Sequence, residues 1–281
     1  MPKNITAAAT FRRLHDARNA FVMPNAWDAG SAIVLAEAGF SAIATTSAGI
    51  AFSLGRGDHS VPQGATAVSK EEMFDRIRQI TAAVDVPVNG DLENGYGARP
   101  EAVVETIRLA IDAGLAGGNI EDYERGTLYD ESLGAERIAA AREAIAKSGT
   151  DFVLTARTDG LLLDTPSSLS DAIRRANRYR LAGADCLFVP GVKNLDDIAT
   201  MVREIDGPVN VVAGLTTTAL IVADLRAAGV ARVSLGGSFA RAALGFLREG
   251  ARELFEHGTL HFAEKQISQR ELNTLFAKRD R

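Results

Sequence analysis

The stretch VPVNGDLENGYGARPEAVVETIRLAIDAGLAGGNIED, Val86–Asp122, reads as strand, helix and strand in succession. The apolar bursts at Val86–Val88 and around Ile120 are short and continuous, as suits strands buried on both faces of a parallel sheet. Between them, Pro100 suits the first turn of a helix. Val103, Ile107, Ala110 and Ile111 then fall on one helical stripe. Gly114 stops the helix, because glycine takes the left-handed conformation there at little cost.

The same unit recurs along the chain. FVMP from Phe21, AIATT from Ala42, FVLTAR from Phe152, CLFVPG from Cys186, PVNVVAG from Pro208 and RVSLGG from Arg232 supply further apolar bursts. Ala38-Gly39-Phe40, Ala182-Gly183-Ala184 and Ala228-Gly229-Val230 repeat the helix stop. Eight strand–helix units in one unbroken chain predict an α/β fold of the closed (β/α)8 TIM-barrel type rather than an open doubly wound sheet. No linker rich in Pro, Gly or Ser interrupts the pattern, so one domain is expected: a barrel over residues 1–256 and a C-terminal helical extension over 257–281. The extension, TLHFAEKQISQRELNTLF from Thr259, carries apolar residues that need a surface, which a neighbouring subunit would supply.

Composition narrows the function. The 281 residues carry a net charge of −5 without a long basic run, which speaks against a nucleic-acid partner. The single cysteine, Cys186, excludes an internal disulfide framework and a Cys-rich zinc site, and reads as a small buried strand residue. The first residues lack the apolar core of a signal peptide, and no apolar run approaches the ~20 residues that span a bilayer. A cytoplasmic protein without a membrane partner is the expectation.

In such a barrel, chemistry sits at the C-terminal ends of the strands. The second strand ends in Thr45, Thr46 and Ser47, with Asp58 in the loop beyond. The third ends in Asp91 and Glu93, the fourth in Glu121 and Asp122, the fifth in Arg157 and Asp159. Carboxylates gathered from adjacent strands repel one another unless a cation joins them. Oxygen ligands without nearby His or Cys favour a hard ion, Mg²⁺ with Mn²⁺ as the alternative. Gly95 and Gly97 would let the backbone turn tightly beside the ligand.

Read together, MPNAWDAGSAIVLAEAGFSAIATTSAGIAFSLGRGD (Met23–Asp58), PVNGDLENGYG (Pro87–Gly97), NIED (Asn119–Asp122) and ARTDG (Ala156–Gly160) resemble the isocitrate lyase/phosphoenolpyruvate mutase superfamily, in that family's order and over nearly the whole chain. The resemblance implies a (β/α)8 barrel, often tetrameric, with a C-terminal helix swapped between subunits, so a homo-oligomer (dimer or tetramer) is expected. It implies Asp91 as direct Mg²⁺ ligand, Glu93 in place of the second Asp of a D-x-D, and Glu121 as a ligand through water. Asp58 matches a carboxylate near the metal, and Arg157 the arginine that grips substrate. Thr46, Ser47 and Ala48 match the contacts to the substrate carboxylate, and Trp27 is expected to line the pocket. Family substrates are small α-oxo acids or compounds that yield them, and cleavage beside an α-oxo acid leaves an enolate that a fixed Lewis acid stabilises.

The chain also departs from the family. Lyases that split isocitrate-type substrates carry K-[KR]-C-G-H after the fourth strand, whose Cys is the acid–base group. Here Asn119–Ile138 reads NIEDYERGTLYDESLGAERI, with no cysteine, histidine or lysine. The mutase-type loop rich in Lys, Asn and Ser is missing too. Pro190 stands where a Glu or His is usual, and Asn210 sits earlier than the family's asparagine. Tyr123, Glu124 and Tyr129 are the candidate replacements for the proton donor, with His59 as rival on another loop. His15, His257 and His261 read as packing or surface residues, Asp28 as a helix N-cap, and Gly236-Gly237-Ser238 as the start of the eighth helix. Three functions remain open: a Mg²⁺-dependent carbon–carbon lyase or decarboxylase on a small α-oxo or hydroxy di- or tricarboxylate, carbon–phosphorus chemistry on phosphonopyruvate or phosphoenolpyruvate, and a non-catalytic barrel that binds an α-oxo acid.

Overall fold

The computed structural model describes residues 3–16, 20–58, 68–163, 165–215 and 220–277. Helix α1 (Lys3–Asp16) precedes strands β1 (Phe21–Met23) and β2 (Asn25–Ala26). Then come α2 (Ala29–Glu37), β3 (Ile43–Thr45), α3 (Ser47–Ser53), α4 (Lys70–Ala83), β4 (Val88–Asp91), α5 (Pro100–Asp112) and β5 (Gly117–Glu121). A short hairpin, β6 (Tyr123–Glu124) and β7 (Thr127–Leu128), leads into α6 (Glu131–Ser148) and β8 (Val153–Arg157). The chain continues through α7 (Leu169–Leu181), β9 (Cys186–Phe188), α8 (Leu195–Glu204), β10 (Val209–Val212), α9 (Val222–Ala227), β11 (Arg232–Ser234) and α10 (Ser238–His257). A 3-10 turn at His261–Lys265 and α11 (Gln269–Ala277) follow.

Nine strands form one sheet in the order β1-β11-β10-β9-β8-β5-β4-β3-β2, all parallel. β1 and β2 are halves of one strand, separated by Pro24 alone. β1 pairs with β11 and β2 with β3, so this first strand joins both edges of the sheet into the expected barrel. Proline has no N–H to give to a ladder; here its carbonyl accepts from Ala44 N at 2.8 Å. The helix starts follow local chemistry. Asp28 caps α2, accepting from Ser31 N at 2.7 Å, and Ser69 and Ser168 close capping boxes on α4 and α7.

α1 plugs the N-terminal end of the barrel. A side chain at Gly117 would come within 2.7 Å of the Phe11 ring. His15 sits edge-on between Phe11 and Phe21, at centroid distances of 4.7 and 5.1 Å. Above this plug the barrel interior is polar rather than aliphatic. Side chains two apart on each strand point inward, so Asn89 and Asp91, Asn119 and Glu121, Asn210 and Val212, and Arg232 and Ser234 line one cavity. The residues between them, such as Val211 and Val233, face the helices and are buried there. Arg232 is 1% exposed, and its guanidinium donates to Asn210 Oδ1 at 2.8 Å and Thr155 Oγ1 at 3.0 Å, with His15 Nε2 at 3.1 Å.

The C-terminal segment packs in two ways. α11 lies against α2 of its own chain. α10 buries only Ala240 and Gly250, and leaves Leu247, Leu254 and Phe255 exposed, Phe255 to 91%. Among the described residues, no helix is long and apolar enough to cross a membrane.

Candidate active site

The polar strand ends meet in a cavity of about 510 Å³ at the C-terminal face of the barrel. Asp91 ends β4 beside the N-terminus of α3. Its Oδ2 accepts from Ser47 N at 2.9 Å and Ser47 Oγ at 2.7 Å, and its Oδ1 accepts from Asn119 Nδ2 at 3.0 Å. Thr45 Oγ1 accepts from Asp91 N at 2.9 Å. Glu121 and Arg157 are register partners on β5 and β8. Arg157 Nη1 is 2.7 Å from Glu121 Oε1 and 3.8 Å from Asp91 Oδ1. Its Nη2 and Nε reach Asp159 Oδ1 at 2.7 and 2.8 Å. One guanidinium thus lies among three carboxylates.

The electrostatics follow from burial. Desolvation works against the Arg157 cation, yet Asp159, Glu121 and Asp91 together hold its pKa above the ordinary value. Burial pushes Asp159 well above the usual carboxylate range, against the pull of Arg157. Asp159 is 1% exposed, and its Oδ2 has no hydrogen-bond partner among the described residues. Behind it, Asp122 accepts from Asp159 N at 3.1 Å and from Tyr179 Oη at 2.8 Å.

The loop that follows Asp91 is held from outside the cavity. Arg137, buried on α6, donates to Gly97 O at 2.5 Å, Ala98 O at 2.7 Å and also Asn94 O. Glu93 and Tyr96 adopt left-handed φ values of 50° and 58°. That tight path turns Glu93 away from the cavity wall. It is buried, its backbone carbonyl accepts from Glu121 N at 2.9 Å, and it does not line the cavity.

Of the residues singled out from sequence, Thr46, Ser47, Ala48, Asp58, Asp91, Glu121, Tyr123 and Arg157 line the cavity together. Trp27 does not; its Cβ packs on Gly49 of α3, behind the wall. Glu124 and Tyr129 do not either. Tyr129 Oη donates to Glu124 Oε2 at 2.9 Å and takes Asn94 Nδ2 at 3.1 Å, while Arg137 lies 4.3 Å over its ring. Burial, opposed by Arg137, pushes the Tyr129 phenol up to about 12. His59 lies outside the described residues. The hairpin explains the split: Arg125 and Gly126 both take φ > 0, as a two-residue turn requires. Tyr123 opens the hairpin at the cavity, whereas Glu124 and Tyr129 lie off the cavity wall.

The cavity also contains Phe188, Arg232 and Arg241, which were not singled out as site candidates, and Asn119 of the NIED motif, to which no role was given. The period-two pairing of Asn119 with Glu121, and of Asn89 with Asp91, was the available signal.

The donor set suits a hard cation. The cavity wall offers carboxylate, hydroxyl and amide oxygens and no His or Cys among the described residues. Among the described residues, no three His, Cys, Asp or Glu side chains converge closely enough to cage an ion. Mg²⁺ needs no such cage, since it keeps several waters and binds through one or two carboxylates. Asp91 and Glu121, both within 4 Å of one nitrogen of Arg157, fit that mode.

This arrangement sits in a chain whose residues 11–255 match the phosphoenolpyruvate phosphomutase family model. The chain belongs to that family. It is 36% identical over 228 residues to an uncharacterized protein of Mycobacterium tuberculosis, covering 81% of each chain. It is 30% identical over 236 residues to a 2,3-dimethylmalate lyase of Eubacterium barkeri, covering 80% of this chain and 78% of that one. A solved structure from Burkholderia cenocepacia J2315 superposes with a TM-score of 0.93 at 44% identity, covering 99% and 98% of the two chains. The family includes both lyases and mutases, so membership leaves the bond to be broken undetermined.

Proposed function

We propose that the protein is a Mg²⁺-dependent carbon–carbon lyase that acts on a small α-oxo or hydroxy acid through an enolate. The observation that supports this most is the convergence of Asp91, Glu121, Arg157 and the α3 N-terminus on one cavity. Asp91 would hold Mg²⁺ directly and Glu121 through water, with Asp58 and Glu93 adding negative charge nearby. When bound, the ion supplies a Lewis acid for the oxygen on which charge develops. Thr46, Ser47 and Ala48 would seat the substrate carboxylate at the start of α3. Arg157 holds a second oxygen with its planar fork, and Glu121 and Asp159 fix that fork in place. Tyr123 Oη is the proton donor toward the carbon released. Tyr123 lines the cavity from the hairpin that replaces the family's Cys-bearing loop, while Glu124 and Tyr129 bond to each other, which supports this choice.

The exposed apolar residues of α10 would be covered by a second copy, giving a homo-oligomer in the cytoplasm. Proton NMR of oxaloacetate, methylisocitrate, dimethylmalate and phosphonopyruvate incubated with protein and Mg²⁺ tests the reading. Carbon–carbon cleavage is the expected outcome. Turnover of phosphonopyruvate alone would transfer the assignment to carbon–phosphorus chemistry, and no turnover with intact oxalate binding would make the protein a binder.

A further inference from the structure

The carboxylates at the mouth of the cavity lie on one side, with Arg241 at the rim beside Leu215. β4, β5 and β8 bring Asp91, Glu121, Arg157 and Asp159, whereas the ends of β9 and β10 bring Phe188, Pro190 and Val212. The turn after Asp159 adds Leu162 and Leu163, and Leu215 follows β10. Where the two halves meet, Arg157 lies 5.2 Å over the Phe188 ring.

This apolar wall is fixed by backbone contacts. Asp159 O accepts from Leu162 N and Leu163 N, both at 3.0 Å, and Phe188 O accepts from Thr158 N at 3.0 Å. Gly191, at φ +98°, lets the loops after β8 and β9 close up: a side chain there would come within 2.3 Å of Leu161 O. Leu162 remains 39% exposed on the cavity side of this turn, an apolar surface without a partner within the described chain.

Two further facts bear on what fills this half. The volume of about 510 Å³ is more than a four-carbon dicarboxylate occupies; cavities of roughly 300–1,000 Å³ take ligands of drug size. Among the described residues, the cations that line the cavity apart from Arg157 are Arg241, exposed at the rim, and Arg232. Arg241 at the rim donates to Leu215 O at 3.4 Å, and Arg232 lies deep in the barrel with Asn210 and Thr155. A carboxylate against Phe188, Pro190 and Leu163 would lose its hydration without gaining a counter-charge.

We propose that the substituent next to the oxo acid is an uncharged alkyl or aryl chain, seated on Leu162, Leu163, Phe188, Pro190, Val212 and Leu215. The substrate class is then an α-oxo or hydroxy acid that carries a hydrophobic chain, and this chain rather than a further carboxylate meets the wall. This inference rests on the enolate reading above, and the test separates the two. Calorimetry of the full chain with Mg²⁺ takes oxalate as reference, then pyruvate, 2-oxobutyrate, 2-oxopentanoate and 2-oxohexanoate, with 2-oxoglutarate as the charged analogue of 2-oxopentanoate. Affinity is expected to rise about fourfold per methylene, and 2-oxoglutarate to bind about tenfold or more weaker than 2-oxopentanoate. In Leu163→Asn the rise per methylene is expected to flatten, measured against that variant's own oxalate affinity. A flat series in the native chain, or tighter binding of 2-oxoglutarate, overturns the hydrophobic assignment while oxalate binding keeps the enolate site. Failure of oxalate itself removes both.

Discussion

Glu121 and Arg157 stand opposite each other on neighbouring strands, and their charged atoms meet at 2.7 Å with Glu121 only 3% exposed. The pair sets the position of the guanidinium, because Asp159 holds the other edge of the same fork. Removing one member of a buried pair leaves the other charge uncompensated, at a cost of about 3–5 kcal/mol. Arg157→Met is therefore expected to lower unfolding stability by ~3 kcal/mol in urea titrations. Adding Glu121→Gln should recover part of that loss. A single variant as stable as the native chain would mean that the three carboxylates do not depend on Arg157.

Asp91→Ala is expected to abolish Mg²⁺-dependent binding of oxalate while the circular dichroism spectrum stays native. Asp91 is the carboxylate that faces the cavity beside Ser47 and Asn119. Calorimetry decides the matter, and undiminished binding with the same metal dependence would remove Asp91 as the ligand.

Tyr123→Phe is expected to lower kcat about 10²-fold with KM little changed, since a positioned acid contributes mainly in the transition state. Tyr129→Phe removes a hydrogen bond off the cavity wall and should cost ~1 kcal/mol of stability, Glu124→Gln keeps an amide acceptor for Tyr129 and should cost less, and both should retain kcat. Steady-state kinetics on a confirmed substrate distinguishes them, with His59→Asn in the same panel. A Tyr123 variant at full rate would shift the proton to another group.

His15 gives the barrel plug an acid-sensitive joint. Burial, reinforced by Arg232, lowers its pKa from 6.5 to about 3. The folded state therefore binds fewer protons than the unfolded state between those values, so this contribution is present above pH 6.5 and fades as pH falls toward 3. The slope for one proton is at most about 1.4 kcal/mol per pH unit. His15→Gln should show a shallower stability loss over that window in denaturant titrations, and an identical profile would refute the assignment.

Leu247, Leu254 and Phe255 form an exposed apolar face on α10. Light scattering is expected to give a homo-oligomer for the intact chain, and a smaller species after Leu247→Asp with Phe255→Asp or truncation near residue 257. A monomeric intact protein would leave that face unexplained by self-association.

Much of the fold was legible because its signals are local. Apolar bursts, the Ala-Gly helix stops and the Asp28 cap each depend on a few neighbouring residues, and all reappear in the barrel. The metal and arginine candidates were legible for a related reason: in a closed parallel barrel, strand ends converge whatever the loops do. The rest depended on orientation in space. Glu93 follows Asp91 by two residues, yet its φ of 50° turns it off the cavity wall. Tyr123 and Glu124 are adjacent on one short strand, so alternation places them on opposite sides. Arg232 looked like an ordinary strand residue, but closure through Pro24 put it inside beside Asn210 and His15. Sequence determined the repeating unit and the residue types at its strand ends. Tertiary structure alone decided which side chains share a cavity, because that depends on register and barrel closure across residues far apart in the chain.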